Sequence, residues 1–221
     1  MIQKKCKIRY KRLFIFLLFI LLLGLLLFWF FNIRISNIYV TGNYYLTEQE
    51  VIEMGKLENY PRAFFSFSNL IESRISSSEF ISSVSVKKKG FRHVYITVNE
   101  NRPLFLNSNN ETVFSDGSIS SRSFDVPYLN GVISDNIKTK FLNGLNSIDN
   151  SVYSSISEIS YTPSSVDSEL FLFTMVDGNF IYVNINKFSN VNQYFDMVSN
   201  FRNHKGILYL DSGEYFKILD N

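Results

Sequence analysis

Nothing in this chain restricts its fold more than the run LFIFLLFILLLGLLLFWFF, Leu13 to Phe31, nineteen residues without a charge and with only Gly24 interrupting the large side chains. At a rise of about 1.5 Å per residue such a helix spans roughly 28 Å, close to the ~30 Å hydrocarbon core of a bilayer. A helix apolar on every side for five turns has no solvated face, so a transmembrane helix is expected over 13–31. Trp29, Phe30 and Phe31 stand where an interfacial aromatic belt belongs.

The flanking charge sets an expected orientation. Residues 1–12 hold Lys4, Lys5, Lys7, Arg9, Lys11 and Arg12 and no acid. The excess of cations puts this tail in the cytoplasm, against anionic lipid, and residues 32 onward outside. Removing those six leaves 16 basic against 20 acidic side chains. The sequence pI of 8.5 is therefore a property of the tail and no argument for nucleic acid. A cleaved signal peptide would have a shorter apolar run and an A-x-A-like site. Here NIRISNIYV follows and the only alanine is Ala63, so the anchor is expected to be retained. The single cysteine, Cys6, lies in the tail and allows no intrachain disulfide.

Beyond the anchor the chain reads as α+β. Ile35 to Val40 predicts a strand that turns at Gly42-Asn43. Thr47 and Glu50 then form a T-x-x-E capping box, with Leu46 and Val51 as a hydrophobic staple and Gly55 as terminator. A second helix is expected from Ser68 as N-cap through Ile71 and Ile75. Two alternating strands follow, through Val84 and Val86 and through Val94, Ile96 and Val98, about a Lys89-Gly90-Phe91 turn. Further on, Asp116-Gly117 and Asp177-Gly178 mark two hairpins. Ile137, Phe141, Leu145 and Ile148 make one helical stripe, and Phe188, Val191, Phe195 and Val198 another. GILYLDSGEYFKIL is read as a single closing strand. The expected division is a tail over 1–12, the anchor over 13–31, a β-α-α-β-β domain over 32–102 and a strand-rich domain with two helices over 103–221.

No catalytic constellation stands out. His93 and His204 lack neighbours at metal-ligand spacing, and H-E-x-x-H and G-x-S-x-G are absent from the sequence. No catalytic residue, metal or cofactor site is nominated, and neither nucleic acid nor a small-molecule substrate is expected. Lys87, Lys88, Lys89 and Arg92 read as a solvated hairpin tip, with lipid headgroups or wall polymers as the other reading. A phosphate loop at Gly42 would need several glycines and a GK[ST]. One glycine favours a plain turn.

Taken in order, the segments resemble the FtsQ/DivIB family of bacterial cell-division proteins. ISNIYVTGNYYLTEQEVI is similar to the opening of that family's POTRA domain, and FISSVSVKKKGFRHVYITVNENRPL to its closing hairpin, with Glu100 and Pro103 in an E-R-x-P pattern. TVFSDGSI, VPYLNG and KGILYLDSGEYF are similar to motifs of its β-domain. Phe91, Asn101 and Glu79 depart from the family's usual residues. The resemblance implies a non-enzymatic divisome scaffold at the septum. Its partners would be FtsL and an FtsB/DivIC-type bitopic coiled-coil protein, and it would help regulate the septal peptidoglycan synthase machinery. Partner capture by β-augmentation would fall on Ile207, Leu208, Tyr209, Leu210, Asp211, Ser212, Gly213, Glu214, Tyr215 and Phe216. A membrane-anchored wall enzyme and a POTRA-type assembly factor are the alternatives.

Overall fold

The computed structural model describes residues 10–201, 204–211 and 213–219. Helix α1, Tyr10–Phe31, has no buried residue and is long and apolar enough to cross a membrane. Among the described residues it includes Tyr10, Lys11 and Arg12 ahead of the apolar run. Lys11 and Arg12 are good helix formers, so the first turn continues through them. Lys4, Lys5, Lys7, Arg9 and Cys6 lie outside the described residues.

The chain divides into two compact units, Met1–Glu100 and Asn101–Asn221. In the first, β1 (Asn37–Thr41), α2 (Glu48–Met54), α3 (Ser68–Ile75), β2 (Ile81–Lys89) and β3 (His93–Glu100) follow in order. The sheet order is β1-β3-β2, with β1 parallel and β2 antiparallel to β3. Alternation puts Val94, Ile96 and Val98 of the central strand into a core shared with Val51, Ile71 and Ile75 of the helices. The Thr47–Glu50 capping box is present in full. Ser68 is the first residue of α3 rather than its cap, which is Phe67. Gly55 does not end α2 in a left-handed conformation. It is right-handed at φ −71, and Lys56 takes the positive φ of 56.

The second unit is one nine-stranded sheet in the order β12-β11-β10-β9-β8-β7-β4-β5-β6. Its strands are β4 (Pro103–Leu106), β5 (Thr112–Phe114), β6 (Ile119–Ser120), β7 (Tyr128–Asn130), β8 (Ile156–Tyr161), β9 (Leu170–Met175), β10 (Phe180–Asn184), β11 (Gly206–Tyr209) and β12 (Tyr215–Ile218). Both Asp-Gly hairpins form, as β5–β6 and β9–β10. Helix α4 (Asp135–Asn146), the short α5 (Asn150–Tyr153) and α6 (Tyr194–Val198) complete the unit. Phe171 and Phe173 of β9 meet Phe188 at ring separations of 5.3 and 5.1 Å, and Phe141 of α4 stacks on Phe171 at 4.9 Å.

The second helical stripe differs from expectation. Ile185–Gln193 is a 3-10 helix, and only Tyr194–Val198 is α-helical. With three residues per turn the inward positions recur every third residue. Ile185, Phe188, Val191 and Tyr194 are accordingly buried, whereas Phe195 is exposed.

Candidate functional site

The closing segment is not one strand. The chain passes through β11, reverses between Asp211 and Glu214, and returns as β12, antiparallel to β11. Ile207, Leu208 and Tyr209 thus lie in a strand flanked on both sides, by β10 and β12. Leu208 and Leu210 are buried in the core. Asp211, Gly213 and Glu214 belong to the turn, and Ser212 lies outside the described residues. Of the ten nominated residues, Tyr215 and Phe216 stand on the edge strand, and it continues through Lys217 and Ile218.

A polar cluster fixes the start of β11. Asn179, buried beside the β9–β10 turn, accepts the backbone N–H of Gly206 at 2.9 Å and donates to Tyr194 Oη at 2.8 Å. Tyr194 in turn donates to Asp177 Oδ2 at 2.6 Å. Burial, and then the bond to the Asp177 carboxylate, push the Tyr194 hydroxyl well above the ordinary tyrosine range. The next strand passes very close to Gly206. A Cβ there would lie 2.4 Å from the Lys217 carbonyl oxygen and 2.5 Å from the Phe216 ring. Glycine is what lets β12 lie down beside β11.

Backbone direction on β12 follows from a single bond. Leu219 donates its N–H to the Lys205 carbonyl at 2.9 Å. Alternation then turns the N–H and C=O of Lys217 and Tyr215 towards β11, and those of Phe216 and Ile218 towards the open side. Among the described residues no strand pairs with that side. Tyr182, Tyr209 and Tyr215 stack in a ladder at 5.6 and 4.8 Å on one face. On the other face Phe216 stacks on Phe201 at 4.7 Å, above a concavity that Met197 and Leu208 also line. An outward pair of peptide groups between two aromatic surfaces is what an added strand requires.

The first unit holds a second arrangement, at the other end of the sequence resemblance. Gly42 has φ +85, and a Cβ on it would meet the Val98 carbonyl oxygen at 2.1 Å. The chain then presents three successive N–H groups, of Tyr44, Tyr45 and Leu46, to the Glu100 carboxylate at 2.9, 2.7 and 2.9 Å. Asn43 closes the loop by donating to the Leu46 carbonyl at 2.9 Å. The turn does cradle an anion, as a phosphate loop would, but the anion is the protein's own side chain.

A helix long and apolar enough to cross a membrane, a small β-α-α-β-β domain and a nine-stranded sheet ending on an open edge make up the described chain. Residues 33–101 match the FtsQ-type POTRA domain. The cell division protein DivIB of Listeria monocytogenes is 24% identical over 212 residues, which cover 90% of this chain and 78% of that protein. DivIB of Bacillus subtilis is 24% identical over 194 residues, 83% of this chain and 74% of that protein. The chain also aligns with the major extracytoplasmic domain of DivIB from Geobacillus stearothermophilus, at 19% identity and a TM-score of 0.39, over 48% of this chain and 99% of that one. The POTRA match and the two sequence alignments show the resemblance to FtsQ/DivIB cell-division proteins, in the POTRA domain and over most of the chain.

Proposed function

We propose that this chain is a non-enzymatic scaffold of the division machinery that takes up a strand of a bitopic partner on the outer edge of β12. The outward peptide groups of Phe216 and Ile218 carry this reading. Main-chain pairing supplies affinity, and the Tyr215 and Phe216 faces supply specificity. The partners are single-span coiled-coil proteins of the FtsL and FtsB/DivIC type, which link the scaffold to septal peptidoglycan synthesis. The charge of residues 1–12 favours a cytoplasmic N-terminus, with 32–102 as the POTRA domain and 103–221 as the β-domain outside, at the septum.

Truncation tests it. Removing 207–221 would take Leu208 and Leu210 out of the core, so a chain ending at Glu214 is the cleaner variant. It is expected to reach the membrane and to lose co-purification with the bitopic partners. Undiminished co-purification would contradict the reading. A tagged full chain should form a band at midcell, and its depletion should give filaments.

A further inference from the structure

The end of α1 does not stand apart from the domain that follows. Phe30 lies 5.9 Å from the Phe64 ring and 5.0 Å from that of Phe91, and Phe31 lies 4.6 Å from Phe64 and 6.1 Å from Phe65. Phe67 extends the group, 6.5 Å from Phe64. Two separate pieces of chain supply these rings, the 3-10 turn Ala63–Phe65 with its flank and the tip of the β2–β3 hairpin. They are tied to each other and to the exit of α1. Lys88 Nζ donates to the Ala63 carbonyl at 2.5 Å, Ala63 N–H to the Ile33 carbonyl at 2.8 Å, and Ser36 N–H to the Arg92 carbonyl at 2.9 Å.

Phe65 and Phe67 nevertheless leave 53% and 59% of their surface open. Large aromatic side chains so exposed, beside an apolar helix, call for a cover. The charge around them is one-sided. Segments 33–38, 60–67 and 87–93 contain Arg34, Arg62, Lys87, Lys88, Lys89 and Arg92 and no Asp or Glu.

Geometry supplies the cover. A bilayer is about 40–45 Å thick with its headgroups and ~30 Å without them, so each headgroup layer is roughly 5–8 Å deep. If α1 spans, Phe30 and Phe31 lie at the edge of the hydrocarbon. The rings of Phe64, Phe65 and Phe91, 4.6 to 6.1 Å from theirs, can lie no farther than that from this edge, and Phe67 is one ring contact beyond Phe64, which keeps the group at the headgroup layer. Aromatic rings partition there, and Lys and Arg meet phosphodiesters there. We propose that Phe64, Phe65, Phe67 and Phe91 form an aromatic collar seated in the phospholipid headgroup layer around the exit of α1, with Arg34, Arg62, Lys89 and Arg92 facing the lipid phosphates. The collar seats the POTRA domain on the membrane surface. The inference rests on α1 being the membrane span but not on the identity of any protein partner.

Nitroxide accessibility tests it on the full chain, in a Cys6→Ser background reconstituted alone into vesicles of phosphatidylglycerol and phosphatidylcholine. Single labels go at Phe65→Cys and Phe67→Cys, with Leu22→Cys in the middle of α1 and Glu48→Cys on α2 as references. Labels at 65 and 67 are expected to collide with oxygen more than with a water-soluble nickel chelate, at a depth between those of 22 and 48. A deep label at 22 with labels at 65 and 67 as aqueous as that at 48 would overturn the collar, and would leave a protein partner to cover it. An aqueous label at 22 would remove the span itself, and the collar with it.

Discussion

Glu100 Oε2 accepts the backbone N–H of Tyr45 at 2.7 Å across 55 residues of sequence. Together with the bonds from Tyr44 and Leu46 this anchors the β1–α2 loop to the last residue of β3. Charge-assisted bonds of this type contribute about 1.5–3 kcal/mol each, less where water can replace the acceptor. Glu100→Ala should therefore cost about 2 kcal/mol, and Glu100→Gln about half of that because an amide keeps one acceptor oxygen. Amide exchange at 44–46 should rise about tenfold or more in the alanine variant. Unchanged protection there would show that the loop holds itself.

Gly42 and Gly90 offer a paired comparison. Both have positive φ, 85 and 60, but a Cβ at Gly90 meets nothing within 4 Å, whereas one at Gly42 lies on the Val98 carbonyl. Gly90→Ala should cost only the left-handed penalty of about 1–2 kcal/mol. Gly42→Ala adds displacement of β1 from β3 and should cost about 3 kcal/mol or more. Thermal unfolding of the two variants side by side checks the order.

Proline separates the two sides of β12. Ile218→Pro removes an N–H that faces outward, which an edge strand tolerates. The β11–β12 ladder should survive while partner affinity drops about tenfold or more. Lys217→Pro removes an inward N–H and should loosen β12 itself, visible as faster exchange at Ile207. Equal effects from both variants would mean that β12 is oriented otherwise.

Tyr194 gives the second unit an alkaline limit. Its hydroxyl is raised above the ordinary tyrosine value of 10.0 by burial and by Asp177. The neutral form is the one the fold favours, so its contribution is present in full below pH 10.0 and is lost as pH rises above that value. Tyr194→Phe should start about 1 kcal/mol less stable at neutral pH and then lose stability less steeply through the alkaline range. A pH series of unfolding midpoints for both proteins measures the difference.

How much of this was legible depends on how local each signal is. The Thr47–Glu50 box and the Asp-Gly hairpins involve residues three apart or adjacent, and both are plain in the sequence. Glu100 stands in a motif, but its role needs a contact across 54 to 56 residues, which no window contains. The 3.6-residue period misplaces Phe195 because that stretch winds as a 3-10 helix. The closing hairpin has a local signal too, the polar run Asp211-Ser212-Gly213-Glu214 with its Ser-Gly pair, and reading across it merges two strands into one. That merging put the candidate edge on β11, which the sheet covers on both sides, and missed Lys217 and Ile218. Tyr215 and Phe216 remain from the original nomination. Strands β4 and β7 are short, β8 has an irregularity between Ile156 and Glu158 that breaks its alternation, and nothing periodic announces the three.

The central claim is that a partner strand pairs with the outer edge of β12. The most direct measurement is amide hydrogen exchange at Phe216 and Ile218 in the full chain, alone and bound to its bitopic partner. Strand addition predicts strong protection of those two amides on binding, with Tyr215 and Lys217 already protected in the free chain. Exchange at Phe216 and Ile218 that stays fast in a complex shown to be fully formed would contradict it.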